Sequence, residues 1–194
     1  LHPRGAVNRS RLALPTPTRH DADVNETPYA RFQREELILR DELARAVQAG
    51  VRYLAGLDFT GADFSGLDLR GVNFEGAWLE SANLEGANLS GANCARAVLA
   101  HARLGGMVAI GTRFAGANLG KATWAQSVCD EADFTGATLS HCDFTGTQMR
   151  RAVFTGAQLL ETLWGAADWS GARLAGQVFY RLKMVGMRWP EADL

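Results

Sequence analysis

Ala87-Asn88-Leu89-Ser90-Gly91 is one copy of a five-residue unit that repeats, without insertion or deletion, to the last residue of this 194-residue chain. Steps of five residues from Leu89 reach an apolar residue at every position from 54 to 194. Alanine is the commonest residue two positions before these centres, and 16 of the 21 glycines lie two positions after them. A period that holds over about three quarters of the chain must reflect the fold.

The five positions of a unit are named here by their place around the centre. In the unit above, Ala87 is the small position, Asn88 the outward position, Leu89 the centre, Ser90 the turn position and Gly91 the corner. A period of five fits neither a helix nor a strand, so each unit must bend the chain and return its centre and small position to one side. Glycine at the corner and Asp or Asn at the outward position suit such bends.

This unit resembles that of the pentapeptide-repeat family, often written A(D/N)LXX, over residues 51–194. The resemblance implies an all-β solenoid, a right-handed quadrilateral β-helix in which four units make one coil. About seven coils would stack at about 4.8 Å each, and large centres with small alanines would fill a narrow square core. One column at steps of 20 predicts packed aromatic rings in that core: Phe74, Cys94, Phe114, Phe134, Phe154 and Leu174. Another column thins at Ala109 and Cys129, which predicts a local irregularity or bulge over residues 107–110.

The first 50 residues follow a different pattern and divide in two. Residues 1–27 contain three prolines and no sustained period, which predicts a flexible lead or linker. Residues 28–50 have helical spacing, with Thr27 placed as N-cap, Pro28 in the first turn and Gly50 as the stop. We expect this α-helix to cap the open first coil of the rod. The alternative is a detachable helix that binds a partner.

Charge and cysteine content exclude several classes of protein. The 20 basic and 21 acidic residues nearly cancel, so the chain has no polybasic surface for nucleic acid. No apolar run approaches the length of a membrane span or a signal-peptide core, which predicts a soluble, cytoplasmic protein. Three cysteines are too few for a disulfide framework and are expected to be buried free thiols. Because the first residue is Leu1, we expect a fragment or a processed chain.

The sequence predicts no catalytic, cofactor or metal site. His101 and His141 occupy equivalent corners two coils apart, about 10 Å from each other, which is too far for one metal ion. Cys94 and Cys129 are centres that face the core, so no Cys/His pair can form, and the carboxylates are spread along convex faces. The chain is therefore predicted not to be an enzyme.

Apolar residues at outward and turn positions, and one centre at the open end, predict a surface for another protein. These candidate partner-binding residues are Val108, Ile110, Val128, Val178, Tyr180, Val185 and Trp189. The repeat runs to the last residue with no helix behind it, so the final coil would present unpaired edges. We expect self-association, as a homodimer through the C-terminal coil. The alternative is that a partner or an upstream domain covers this end.

Two functions are compatible with such a rod, both resting on resemblance. The stretch Phe74-Glu75-Gly76-Ala77-Trp78-Leu79-Glu80, followed by Ala-Asn-Leu units, looks like pentapeptide-repeat regions encoded with bacterial type VI secretion systems. That resemblance implies a scaffold that helps to load an effector onto the secretion spike. The alternative is a DNA mimic that binds DNA gyrase, as the quinolone-resistance pentapeptide proteins do. Mimicry requires dense negative charge, and six basic residues interrupt the middle of the rod: Arg96, Arg103, Arg113, Lys121, Arg150 and Arg151.

Overall fold

The computed structural model describes residues 46–175 and also residues 177, 181, 183, 185, 186 and 188. Residues 46–48 are the described part of a helix, α1, and the four-sided β-helix follows from residue 51. Parallel bridges join residues 20 positions apart, from Tyr53 with Asn73 to Asp168 with Arg188. The described coils number about six and form a rod about 30 Å long. The coil of 20 residues that the sequence predicts is confirmed.

Each bridge is a single outward residue on either side, and longer strands do not form in the described part of the chain. The reason lies in the unit itself, because a corner every five residues leaves no room for an extended run. In every bridge the outward residues of successive coils pair in register, as Asn88 does with Val108 and Val108 with Val128. A column of outward residues is therefore a set of neighbours in space.

The core consists of the centres and the small positions. Every centre from 54 to 174 is buried. The predicted aromatic column is confirmed, with the Phe134 ring stacked between those of Phe114 and Phe154 at centroid distances of 5.2 and 5.0 Å. A second column stacks Phe144 against Trp124 and Trp164. Edge contacts such as Trp124 to Phe134, at 5.6 Å, join the two columns into one apolar cluster.

Backbone hydrogen bonds explain why this unit has its composition. In a typical unit the N–H groups of the centre, corner and outward position donate to carbonyls of adjacent coils, and that of the small position closes a turn onto the preceding centre. Only the N–H of the turn position lacks a backbone acceptor in this scheme. Where Asp or Asn precedes the centre, its side-chain oxygen accepts from that group, as Asn88 Oδ1 does from Ser90 at 3.0 Å. The preference for Asp and Asn is therefore a hydrogen-bond requirement of the turn.

The corner is the strained position of the unit. Glycines at the corner have φ near +65°, as at Gly136. The N–H of the next residue, Ala137, donates to Phe134 O, which is the hydrogen bond of a type II turn. Eleven residues other than glycine also have positive φ, between 53° and 63°, and all occupy corners. An L-residue in this region costs about 1 to 3 kcal/mol. Corners without glycine therefore reduce the stability of the rod.

A pair of glycine substitutions separates this strain from simple packing. Gly136 has φ +65° and no atom within 4 Å of the place that a Cβ would take, whereas Gly105 lies outside the left-handed region and its Cβ would contact Ala125 O at 3.6 Å. We expect Gly136→Ala to lower the free energy of unfolding by about 1 kcal/mol. Gly105→Ala should raise it by about 0.5 kcal/mol, because alanine restricts the unfolded chain. Urea unfolding of both variants measures this, and equal shifts would contradict it.

The irregularity predicted at residues 107–110 is wrong. Met107 is fully buried at a small position, and Ala109 is a buried centre whose N–H donates to Val128 O at 2.7 Å. The bridges on both sides of Val108 keep the 20-residue register. The large Met107 sits beside the smallest centre of its column, so an exchange of volume within one unit keeps the coil regular.

At its N-terminal side the rod continues into α1. Ala46 and Val47 are buried in the same apolar cluster as Leu54 and Phe59, and the Val51 N–H donates to Ala46 O at 2.9 Å. The predicted lead at 1–27 and the predicted helix up to residue 45 lie outside the described residues. The capping role of the whole helix stays a prediction.

Candidate contact surfaces

The clearest apolar surface is formed by Val108, Ile110 and Val128, here called the valine patch. Val108 and Val128 form a parallel bridge and are half-buried, and Ile110 is 44% exposed at the turn position that follows Val108. Asn88 and Gln148 continue the same column on either side. The patch therefore spans two coils and is bounded by amides along the rod.

An ion pair lies beside the valine patch. Asp130 occupies the turn position one coil after Ile110 and accepts hydrogen bonds from the Arg150 N–H and Nε, both at 2.9 Å. The Asp130 side chain is mostly buried, whereas Arg150 is half-exposed. Gln148 precedes this turn where other units have Asp or Asn, so Asp130 of the preceding coil takes over as acceptor. The pair gives the patch a rigid polar rim.

The other predicted contact residues do not join the valine patch. Val185 is 78% exposed, and its carbonyl accepts from the Ala166 N–H on a different side of the rod. Val178, Tyr180 and Trp189 lie outside the described residues. The structure thus brings together three of the seven predicted site residues and separates a fourth from them.

Four further apolar side chains are exposed that the predicted site did not include, and the most exposed of them is Tyr53, at 58%. Trp78 is 44% exposed at an outward position beside Val98, and Leu160 and Leu163, at 40% and 37%, flank the corner Glu161. The signal was present in the sequence, because an apolar residue at an outward or turn position faces away from the core. Comparison at steps of 20 adds that Trp78 and Val98 are neighbours on adjacent coils.

One of the four edges of the rod differs from the others at its corners. As on the other edges, each corner N–H donates to the carbonyl of the turn residue before the same corner of the next coil, as His101 does to Gly120 O and Lys121 to Ser140 O, both at 2.9 Å. The corners on this edge that carry side chains are Ser81, His101, Lys121, His141, Glu161 and Arg181, here called the histidine edge. The sequence places His101, Lys121 and His141 in one column, but the extension of the column to Ser81, Glu161 and Arg181 was not predicted.

Several glutamates on the surface of the rod form ion pairs with arginines of adjacent coils. Glu75, Glu85 and Glu131 pair across coils with Arg96, Arg103 and Arg151, respectively. At the histidine edge, Glu161 contacts His141 Nδ1 at 3.5 Å and Arg181 Nη1 at 3.0 Å. The outer surface therefore alternates in sign, and no uniform acidic column runs along the described coils.

The described residues contain no group of three or more His, Cys, Asp or Glu side chains placed to hold a metal ion. The three cysteines are buried. Burial raises the pKa of the Cys94 and Cys142 thiols to about 12, and it raises that of Cys129 as well. These thiols are protonated at neutral pH and are poor nucleophiles.

The buried thiols predict a loss of stability at alkaline pH. Thiols in the unfolded chain titrate near pH 8.5, so between about pH 8.5 and pH 12 the unfolded state releases protons that the folded state keeps. The melting temperature should therefore fall as the pH rises from 9 to 11. Cys142→Ala places the commonest small residue there and should reduce the fall by about a third. Identical pH profiles for the two proteins would contradict this.

In the part of the chain that the structure describes, α1 is the only helix, and it is too short to cross a membrane.

Comparison with known proteins agrees with the coil geometry. A sequence model described as "Pentapeptide repeats (8 copies)" matches five overlapping segments that together cover residues 53–162. Proteins of that kind form right-handed quadrilateral β-helices. No curated protein matches the chain.

Solved structures give a likeness of fold. Trypsin-treated QnrB1, a plasmid-mediated fluoroquinolone resistance protein, aligns at 19% identity over 71% of this chain and 82% of its own, with a TM-score of 0.52. A pentapeptide repeat protein of the Arabidopsis thaliana thylakoid lumen is 31% identical over 55% of this chain and 70% of its own, with a TM-score of 0.42. HetL of the cyanobacterium Nostoc, which is involved in heterocyst differentiation regulation, is 26% identical over 79% of this chain and 94% of its own, with a TM-score of 0.36.

Proposed function

The chain belongs to the pentapeptide-repeat family, and we propose that it is a non-catalytic scaffold that binds another protein through the valine patch. The observation that supports this most is the patch itself. An outward position in this rod accommodates Asn, Gln, Asp or Arg, so folding does not require valine at Val108 and Val128. Apolar side chains gathered at such positions favour contact with a partner.

The test uses substitutions that the rod already carries in the same columns. Val108→Asn copies Asn88, Val128→Gln copies Gln148, and Ile110→Ser copies the Ser90 type of turn. We expect the triple variant to melt within a few degrees of the unmodified protein and to lose a partner that the unmodified protein captures from a bacterial lysate. Thr138→Asn, an outward change on another side, is the matched control and should keep the partner. Equal capture by all three proteins would exclude the patch.

The partner is sought in the cytoplasm, the compartment predicted from the sequence. The role as a scaffold for type VI effector loading stays a prediction, because the similar structures described above do not connect the chain with type VI secretion. Co-purification from a bacterium that carries such a system, with a strain lacking the spike as control, tests this role directly. Recovery of neither spike nor effector components would exclude it.

Gyrase binding is the second candidate, and the fold shared with a fluoroquinolone resistance protein favours it. The charge pattern argues against it, because the glutamates on the middle coils pair with arginines on neighbouring coils. A mimic of duplex DNA requires closely spaced negative charges that remain available. We expect no inhibition of gyrase in a supercoiling assay at micromolar concentrations, and clear inhibition would make this the preferred function.

We further propose that the chain self-associates as a homodimer through its C-terminal coil. Val185 is the described residue that supports it, since its side chain is 78% exposed at a turn position. Sedimentation at micromolar concentration should give a dimer that Val185→Glu weakens. A monomer at all concentrations would rule this proposal out.

A further inference from the structure

Most corners of the rod are glycine, but most corners of the histidine edge are not. Six successive coils on this edge have a residue other than glycine at the corner, with φ between 53° and 61°. Among the described corners of the other three edges, only five residues are not glycine: Arg96, Gln126, Glu131, Arg151 and Ala166. The strained corners are therefore concentrated on one edge.

The fold gives no reason for this concentration. The side chains of His101, Lys121 and His141 are exposed and add nothing to the core. Glycine would relieve the backbone strain at each of these corners, as it does at Gly61 on the same edge. Strain that persists on an exposed edge indicates a role for the side chains that cause it.

The edge carries two imidazoles and one ammonium group at its middle and apolar side chains at one end. Among the described residues, His101 and Lys121 form no ion pair. The three corners His101, Lys121 and His141 lie about 4.8 Å apart from coil to coil. Small residues precede them, namely Ala100, Gly120 and Ser140, so another chain can approach the edge closely. Beyond His141, the exposed Leu160 and Leu163 supply apolar surface.

We propose that the histidine edge binds an acidic segment of the partner protein, with its carboxylates at His101, Lys121 and His141 and its apolar residues at Leu160 and Leu163. This inference rests on the proposed scaffold function and names a second contact surface and the chemistry of the partner. An acidic polypeptide fits better than nucleic acid. The near-zero net charge of the chain offers no extended basic track for the evenly spaced phosphates of a duplex.

The test is a triple variant in which His101, Lys121 and His141 are each changed to glycine. Glycine relieves the backbone strain at these three corners, so the melting temperature of the variant should equal or exceed that of the unmodified protein. A loss of binding could then not be explained by unfolding. The matched control changes Gln126 and Ala166 to glycine on another edge. With labelled poly-L-glutamate as the probe at low salt, we expect the triple variant to bind at least about ten times more weakly. The control should bind as the unmodified protein does.

Chemical cross-linking locates the contact. The chain has only two lysines, Lys121 and Lys183. Carbodiimide treatment in the presence of poly-L-glutamate should form an amide at Lys121 in preference to Lys183. Cross-linking at Lys183 alone, or equal binding by the triple variant, would overturn the proposal. Tighter binding of a 20-base-pair DNA duplex than of poly-L-glutamate would overturn the choice of an acidic polypeptide.

Failure of this inference is distinguishable from failure of the scaffold function. If the partner captured in the valine-patch experiment also binds the triple glycine variant unchanged, the edge is excluded while the scaffold function stands. If that partner is lost from both variants but retained by the two controls, both surfaces contribute to one interface.

Discussion

Phe134→Asp is expected to unfold the whole rod. The Phe134 ring is fully buried, stacked between Phe114 and Phe154 and in edge contact with Trp124. A carboxylate there would lose these contacts and would have no partner for its charge. Together these effects lower the free energy of unfolding by at least about 5 kcal/mol, which is comparable with the total stability of many domains.

Circular dichroism and thermal melting measure this effect. Phe134→Leu keeps an apolar side chain of the kind found at many centres and should cost only about 1 to 2 kcal/mol. Thr135→Asp adds the same charge one residue away at an exposed turn position, and its melting temperature should change little. A folded Phe134→Asp protein that melts within a few degrees of the unmodified one would refute this packing of the core.

Removal of residues 1–50 is expected to cause aggregation, whereas removal of residues 1–27 should leave stability unchanged. Ala46 and Val47 belong to the same buried cluster as Leu54, Leu57 and Phe59. Their loss would expose apolar side chains at the end of the rod and free the backbone edge of the first coil. Exposed edges of this kind pair with other chains.

Size-exclusion chromatography with light scattering distinguishes the two truncations. The shorter truncation is the control, since it keeps residues 46–50 and the hydrogen bond from Val51 to Ala46. If the protein that lacks residues 1–50 stays soluble and keeps the oligomeric state of the full chain, the helix does not cap the rod.

Much of the fold could be predicted from the sequence because the centre and small positions of every unit face the core. Any residue at a centre, even Ala109 or Cys129, is directed inward by the same backbone geometry. The predicted bulge failed for this reason, since the backbone ladder holds its register while side-chain volumes adjust around Met107. The exchange of volume between Met107 and Ala109 lies within one unit, but only the packed structure shows that it preserves the regular coil.

The candidate contact surfaces were only partly predictable. The valine patch follows from the sequence because steps of 20 place Val108 beside Val128. The histidine edge was only partly predicted, because the sequence places His101, Lys121 and His141 in one column but does not give the φ of a corner residue. Strain at Lys121 becomes evident only with the backbone conformation.

The one-residue bridges, each joining positions 20 apart, constrain how such a chain can change its length during evolution. An insertion or deletion of 20 residues adds or removes a coil and leaves every column intact. A change of five residues keeps the core equally well, because centres still meet centres, but it rotates all later units by a quarter turn. Residues after such a change would move to the next side of the rod, so a change between Lys121 and His141 would place these two residues on different edges. Natural variants that keep a contact surface should therefore differ in length by whole coils, whereas those that have lost it are free to differ by single units.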